Sequence, residues 1–359
     1  MKRPSLQAAL AALAIAFALL SAPGSALGAN ATPLSPSALA FPAAFTATPN
    51  GDRILYGERS TGRIRSLNPT TGTSAPFFTV PNVATVGDQG LLGLALHRSY
   101  PADGRLWAFV TRKVSGTARN QLVRIPADGS GFTVLRSFPT ADLRDGGRIM
   151  FGPDGKLYVV VGDTTSPGLA QNLAVLAGKV LRLNADGTVP SDNPRAGSPV
   201  IGYGFRNSFG FTFDSLNGRL WATDNGPECN DEINLVPRFK LTNFGWGPSQ
   251  TCSSPPPAPR NTNRDGPAPV LPKLYFAKPP ALTGAAFCDQ CGLSSSGQLF
   301  LGDFNNGVIH RASLTSDRRD IASQAPFYDH FGSVLALETP LDGGPIYFST
   351  RTNIFRLSP

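Results

Sequence analysis

The chain is built from short apolar alternations cut by turns. From Gly146 to Asp163 it reads Gly-Gly-Arg-Ile-Met-Phe-Gly-Pro-Asp-Gly-Lys-Leu-Tyr-Val-Val-Val-Gly-Asp. Asp-Gly supplies the positive φ of a tight hairpin, and the apolar, β-branched run from Lys156 to Val161 suits a pleated strand. The phrase returns, degraded, along the chain. It appears as Asn50-Gly51 before Ile54-Leu55-Tyr56, and as Gly93-Leu94-Ala95-Leu96 followed by Arg105 to Val110. It appears again as Asn217-Gly218 before Leu220 to Asp224, Ser296-Gly297 before Leu299 to Asp303, and Pro345 to Thr350. Six such units, roughly 45–75 residues apart, are each too small to bury their own faces, and radial stacking solves that problem. The pattern therefore predicts an all-β, six-bladed β-propeller over residues 40–359, with a β-sandwich as the alternative architecture. Prolines crowd residues 253–272, which read as a Pro-rich loop insertion.

Composition agrees. With 38 Gly, 33 Pro and 16% charged residues, long helices are disfavoured and many short strands are expected. The first 28 residues differ from the rest. Lys2-Arg3 precedes an apolar run from Ala8 to Leu20, and small residues follow up to Gly28. This is the pattern of a secretory signal peptide at 1–28. The run is shorter than the ~20 residues of a membrane span, so the expected location is periplasmic or secreted, with no membrane span after cleavage. Net charge is +8, two of it from Lys2 and Arg3. No Lys/Arg run is clustered, which argues against nucleic acid and is compatible with a basic pocket for an anion. Cys229, Cys252, Cys288 and Cys291 form an even set in an oxidising compartment, which suggests two disulfides. The two local pairs, Cys229–Cys252 and Cys288–Cys291, are preferred among three possible pairings. Zinc held by the four cysteines is the alternative, although only Cys288 and Cys291 have ligand spacing.

Four segments could carry chemistry. Gly87-Asp88-Gln89-Gly90 enters a buried strand. Leu143-Arg144-Asp145-Gly146-Gly147-Arg148 sets charges beside glycines that allow a flat ligand to approach backbone. Gly204-Phe205-Arg206-Asn207-Ser208-Phe209-Gly210 offers a guanidinium fork and an amide. Asp224-Asn225-Gly226-Pro227-Glu228-Cys229-Asn230-Asp231-Glu232 groups carboxylates with backbone carbonyls, the hard oxygens that calcium prefers.

In this order the phrases resemble the soluble glucose/sorbosone dehydrogenase family, six-bladed propellers that use pyrroloquinoline quinone (PQQ). The resemblance covers about residues 40 to 357. It rests on Gly90 to Ala95, Gly146 to Asp163, Leu176 to Arg182, Asp192-Asn193-Pro194, Arg206-Asn207, Gly226-Pro227, Asp231 to Asn234 and Asn243-Phe244-Gly245-Trp246. It implies oxidation of a sugar or polyol by hydride transfer to the quinone, assisted by Ca2+. The metal residues would be Gly226, Pro227, Asp231 and Glu232. The cofactor-binding residues would be Asp88, Arg148, Arg206 and Asn207.

The sequence also departs from the family pattern. The family's general-base His, two residues before Gly-Gly-Arg, is Arg144 here, and arginine stays protonated. An Arg-x-Arg pair before the last blade is replaced by His330 and Gly332, and an expected lysine by Asn305. His330 becomes the substitute candidate base. Two other readings follow. One is a non-catalytic exported propeller that binds a carbohydrate or a protein partner. The other is a calcium-dependent hydrolase built on residues 224, 228, 231 and 232.

Overall fold

The computed structural model describes residues 29–249, 252, 263–330 and 332–359. The expected signal segment, 1–28, and residues 253–262 of the Pro-rich insertion lie outside the described residues. The described residues form six sheets, one per sequence unit, arranged as a six-bladed propeller. Blade 1 runs Pro42–Ala47, Ile54–Glu58, Arg63–Leu67, Ser74–Thr79. Blade 2 runs Leu91–Leu96, Arg105–Val114, Thr117–Pro126, Thr133–Phe138. Blade 3 runs Gly146–Phe151, Leu157–Val161, Lys179–Leu183, Val200–Tyr203. Blade 4 runs Phe211–Phe213, Leu220–Asp224, Asp231–Val236, Leu274–Phe276. Blade 5 runs Leu282–Phe287, Leu299–Asp303, Val308–Leu314, Ile321–Asp329. Blade 6 holds Ala336–Glu338, Tyr347–Ser349 and Ile354–Ser358.

Burial explains why the units read differently at their two ends. First strands line the axis and pack on their neighbours' first strands. Leu91–Leu96 is therefore buried at every position and reads as an unbroken apolar run. Fourth strands such as Ser74–Thr79 are half exposed and keep polar residues. The core lies between blades. Trp107 and Phe109 of blade 2 pack with Phe151 and Val159 of blade 3, and the Trp107 and Phe151 rings meet edge-on at 4.7 Å.

Two strands fall outside the sequence periodicity. Asn30–Pro33 pairs with Ile354–Ser358 and completes blade 6 from the other end of the chain. The propeller thus begins at residue 30, and this strand becomes the outer strand of blade 6, giving it four strands. Thr242–Asn243 pairs in parallel with Val200–Tyr203, so the connection between the third and fourth strands of blade 4 first returns to blade 3.

The segments that enter first strands, and those that link second to third strands, gather on one face, the upper rim. The opposite face opens on a cavity of about 500 Å³ lined in part by His97, Arg98, Asp154 and Glu338. Arg148 lies between the two. Its guanidinium donates to Phe209 O (3.4 Å), Ala43 O (3.2 Å) and Leu335 O (3.1 Å). It therefore joins blade 3 to the backbone of blade 1 and to the segments entering blades 4 and 6. Gly147, at φ +98°, makes the approach possible, because a Cβ there would meet the Phe109 ring and Leu92. Burial pulls the Arg148 pKa down to about 10, with Glu338 opposing the fall.

Arg148→Met removes all three bonds and leaves three axial carbonyls unpaired. At about 1–3 kcal/mol per orphaned buried group, urea unfolding should show a loss of ~3 kcal/mol or more. A loss under about 0.5 kcal/mol, the range of an ordinary surface substitution, would refute the cross-blade role.

Candidate functional site

The site grows from four rim segments that hold one another. Before blade 3, Asp142 O accepts from Asp88 N (2.7 Å), Ala141 O accepts from the Gln89 amide (3.1 Å), and Arg144 N donates to the Asp88 carboxylate (2.8 Å). Asp88 is thus a clamp between the entries to blades 2 and 3. Arg144 adopts φ +65°, a left-handed conformation that a non-glycine residue keeps only when its surroundings hold it. Its side chain reaches Asp163 at 3.0 Å.

Asp163 follows the second strand of blade 3 and is fully buried. Its Oδ2 accepts from Arg144 Nη1 and from Trp246 Nε1 (2.8 Å), and its Oδ1 accepts from Thr165 N (2.9 Å). Burial raises its pKa, and Trp246, Arg144 and Arg206 moderate the rise. Trp246 arrives with the connection that returns to blade 3. Its backbone bonds to Gly204 and Gln171, and the Arg206 guanidinium lies 5.6 Å from its ring centroid.

Arg206 and Asn207 enter blade 4 with both backbone amides on the Asp224 carboxylate (2.7–3.1 Å). Asp224 is fully desolvated, which pushes its pKa up to about 7. Several buried polar atoms here have no hydrogen-bond partner: Arg206 Nε, Asn207 Oδ1, Ser208 Oγ and Asn225 Oδ1. Native interiors leave few such atoms, so this cluster marks a place for a polar ligand. Arg206 Nε and the Ser208 hydroxyl can donate, with Arg144, to an anionic ligand such as PQQ, whereas the Asn207 and Asn225 Oδ1 atoms are acceptors that need a donor.

Calcium fits less well. The Gly226 carbonyl accepts from Arg206 Nη1 at 2.7 Å, and the Asn225 carbonyl accepts from the same nitrogen at 2.9 Å. A fixed positive charge thus covers the oxygens a cation would use. The Asp231 carboxylate is taken by Gly226 N and Ala281 N, and that of Glu232 by the amides of Asn234 and Asn263. Among the described residues, no group of three His, Cys, Asp or Glu side chains is placed to hold a metal. Of the expected metal set of Gly226, Pro227, Asp231 and Glu232, the two carboxylates anchor backbone and amides.

Other expectations also change. Arg148 lies below the rim with its guanidinium held by carbonyls. The His330 ring packs on Phe355 (4.5 Å) and Phe348 (5.2 Å) in blade 6, and burial lowers its pKa. Its contacts place it among aromatic rings, apart from Arg144 and Asp163. Asn305 bonds the Pro279 carbonyl at 2.9 Å. The disulfides are Cys229–Cys252 and Cys288–Cys291, which leaves no thiolate for zinc. Three rim residues escaped the sequence reading: Trp246, although its Asn243 to Trp246 phrase was noted, and Arg59 and Arg351, which sit in no shared phrase.

Two outcomes follow. Burial raises Asp145 to about 6, Asp231 to about 6 and Asp224 to about 7. The folded state therefore binds protons that the unfolded state releases from about pH 4 upward, and this contribution to stability is lost as pH rises through 6–7. Surface Asp186 and Asp192 have lowered values and act oppositely below pH 4. Unfolding free energy should peak near about pH 4 and fall as pH rises toward 7, and a maximum at pH 8 would contradict the burial of these acids. Separately, EDTA should leave the Tm unchanged. A fall that calcium restores would show that Arg206 yields its carbonyls to a metal.

The chain resembles proteins already known. Quinoprotein glucose dehydrogenase B of Acinetobacter calcoaceticus is 30% identical over 237 residues, 54% of this chain and 48% of the relative. Aldose sugar dehydrogenase YliI of Escherichia coli is 29% identical over 303 residues, 79% of this chain and 78% of the relative. The chain spans about half the length of the first two curated relatives it matches. A solved glucose dehydrogenase structure superposes with a TM-score of 0.80 at 26% identity, over 91% of this chain and 98% of that one. The sequence profile of the Glucose / Sorbosone dehydrogenase family matches residues 39–355, and the chain belongs to that family.

Proposed function

We propose that this propeller is a PQQ-dependent sugar dehydrogenase that oxidises a hydroxyl of a sugar or polyol. One observation carries the reading. The upper rim of a glucose/sorbosone dehydrogenase propeller presents Arg144 and Arg206 beside a cluster of unpartnered buried polar atoms. Bound there, PQQ would accept the hydride from the alcohol carbon. Arg206 and Asn207 would hold its anionic and carbonyl oxygens, and Trp246 would wall the site and exclude water.

The hydroxyl proton needs an acceptor. Arg144 cannot serve, since a guanidinium stays charged. The carboxylate beside it, Asp163, is the candidate acceptor, its proton affinity raised by burial against the pull of Trp246 and Arg144, and it would act once Arg144 moves aside to open a path to its oxygens. Calcium assistance has no part in the reading, given the Arg206 bonds to Asn225 and Gly226. Two formed disulfides support export to the periplasm or beyond. The electron acceptor is a separate molecule.

A second reading is favoured by the Arg144–Asp163 pair itself. If the pair locks the carboxylate, the protein is a binding propeller that takes a carbohydrate or a protein partner without turnover.

Titration of the protein with PQQ, followed by dye reduction on aldoses and polyols, separates the two. Arg206→Ala should weaken PQQ binding at least tenfold, the loss expected for a charged hydrogen-bonding group. Asp163→Asn should keep PQQ binding and lower turnover by roughly 10²–10⁴, the usual worth of a general base. Unchanged binding in the first variant, or unchanged turnover in the second, would remove that residue from the mechanism. PQQ binding with no turnover in the unmodified protein would establish the binding propeller.

A further inference from the structure

Arg59 and Arg351 form a second pair of guanidinia on the same rim. Arg59 follows the second strand of blade 1, and Arg351 follows the second strand of blade 6. Phe41 lies between them, with Arg59 at 5.3 Å and Arg351 at 6.0 Å from its ring centroid. Phe304 of blade 5 flanks Arg351 at 5.4 Å. The backbone fixes this spacing. Phe41 N donates to Arg351 O, and Arg59 N donates to Phe41 O, both at 3.1 Å. Phe41 is held at φ +48°, in the left-handed region, so the arrangement carries local strain.

Two like charges beside one ring repel, and burial, with Arg351 adding to it against Asp88, lowers the Arg59 pKa. Among the described residues no carboxylate pairs with either guanidinium, although Arg59 Nη2 donates to the Gly87 carbonyl. Neither arginine is among the ion pairs of the described residues. Asp88, the nearest influence on Arg59, already accepts from Arg144 N. Arg351 is exposed, and its guanidinium lies beside the Phe41 and Phe304 rings. In the six-blade ring, blades 6 and 1 lie across from blades 3 and 4, which carry Arg144 and Arg206. A ligand over the axis would thus meet guanidinia on both sides.

We propose that Arg59 and Arg351, spaced by Phe41, bind a carboxylate of the ligand that occupies the upper mouth. A guanidinium presents paired donors matched to a carboxylate, and the ring faces keep both groups from folding away. The carboxylate belongs either to the cofactor or to an acidic sugar substrate such as an aldonic or uronic acid. This inference rests on the reading of the upper rim as the ligand site, and it adds the blade 1 and blade 6 flank to that site.

The test is calorimetric titration of the full protein with PQQ and with D-glucuronate, using D-glucose as the neutral control. It is run on the unmodified protein, R59Q, R351Q, and the charge-keeping R59K and R351K. Each Gln variant should raise the Kd for a carboxylate ligand about tenfold or more, with partial recovery in the Lys variants and no change for glucose. A rise for PQQ assigns the pair to the cofactor. A rise for glucuronate with PQQ unaffected assigns it to the substrate. Kd values unmoved for both ligands, or no carboxylate binding by the unmodified protein, overturn the proposal. Arg351 lies at the surface, so R351Q reports on the pair even if R59Q disturbs folding. Absence of dye reduction would count against dehydrogenase activity and leave the carboxylate result standing.

Discussion

The guanidinium of Arg148 at the axis is the constraint on which the rest of the rim depends. Blades bury apolar faces against their neighbours, but apolar packing alone does not fix their register at the centre. Three carbonyls from the backbone of blade 1 and the segments entering blades 4 and 6 converge on this one side chain. Each hydrogen bond has a length and a direction, so the inner ends of the blades are located relative to one another. The loops above inherit that placement. Burying a charge here is unfavourable by itself, and the surrounding carbonyl dipoles together with Glu338 offset it.

Above this floor, backbone and side chains exchange roles in a consistent way. Asp88, Asp224 and Asp231 accept from backbone amides of neighbouring segments. They are loop anchors, although their residue type suggests metal ligation. The arginines hold carbonyls or face the mouth. The rim therefore offers positive charge outward and keeps several of its negative charges as internal ties. That division explains why a run so rich in Asp and Glu between Asp224 and Glu232 makes a rigid turn and not an open oxygen cage.

Arg144, where the resemblance leads one to expect a histidine, has a structural partner. Asp163 follows the second strand of blade 3, and Arg144 reaches it in an ion pair. Arg144 brings a permanent charge to this position. The carboxylate partner becomes the group whose proton affinity matters. Trp246, brought back by the Thr242–Asn243 strand, shares the same oxygen and shields the pair from water.

Much was legible in the sequence, for a physical reason. A Gly-containing turn followed by an apolar strand is a local signal, and six copies of it require a closed ring. The disulfide pairs were preferred as local loops, and the structure forms them. The positions of Arg144, Arg206 and Asn207 followed from phrases of fixed spacing. What the tertiary structure alone decided are the meetings between residues far apart in the chain. Asn30–Pro33 closing blade 6, Trp246 on Asp163, and Arg59 with Arg351 around Phe41 join segments that no local pattern couples. Arg148 and His330 illustrate the same limit. Their residue types suggested chemistry, yet carbonyls of other blades enclose one and the aromatic rings of blade 6 flank the other. Spacing along a chain reports which groups a segment can offer, while the packing of blades determines which groups they meet.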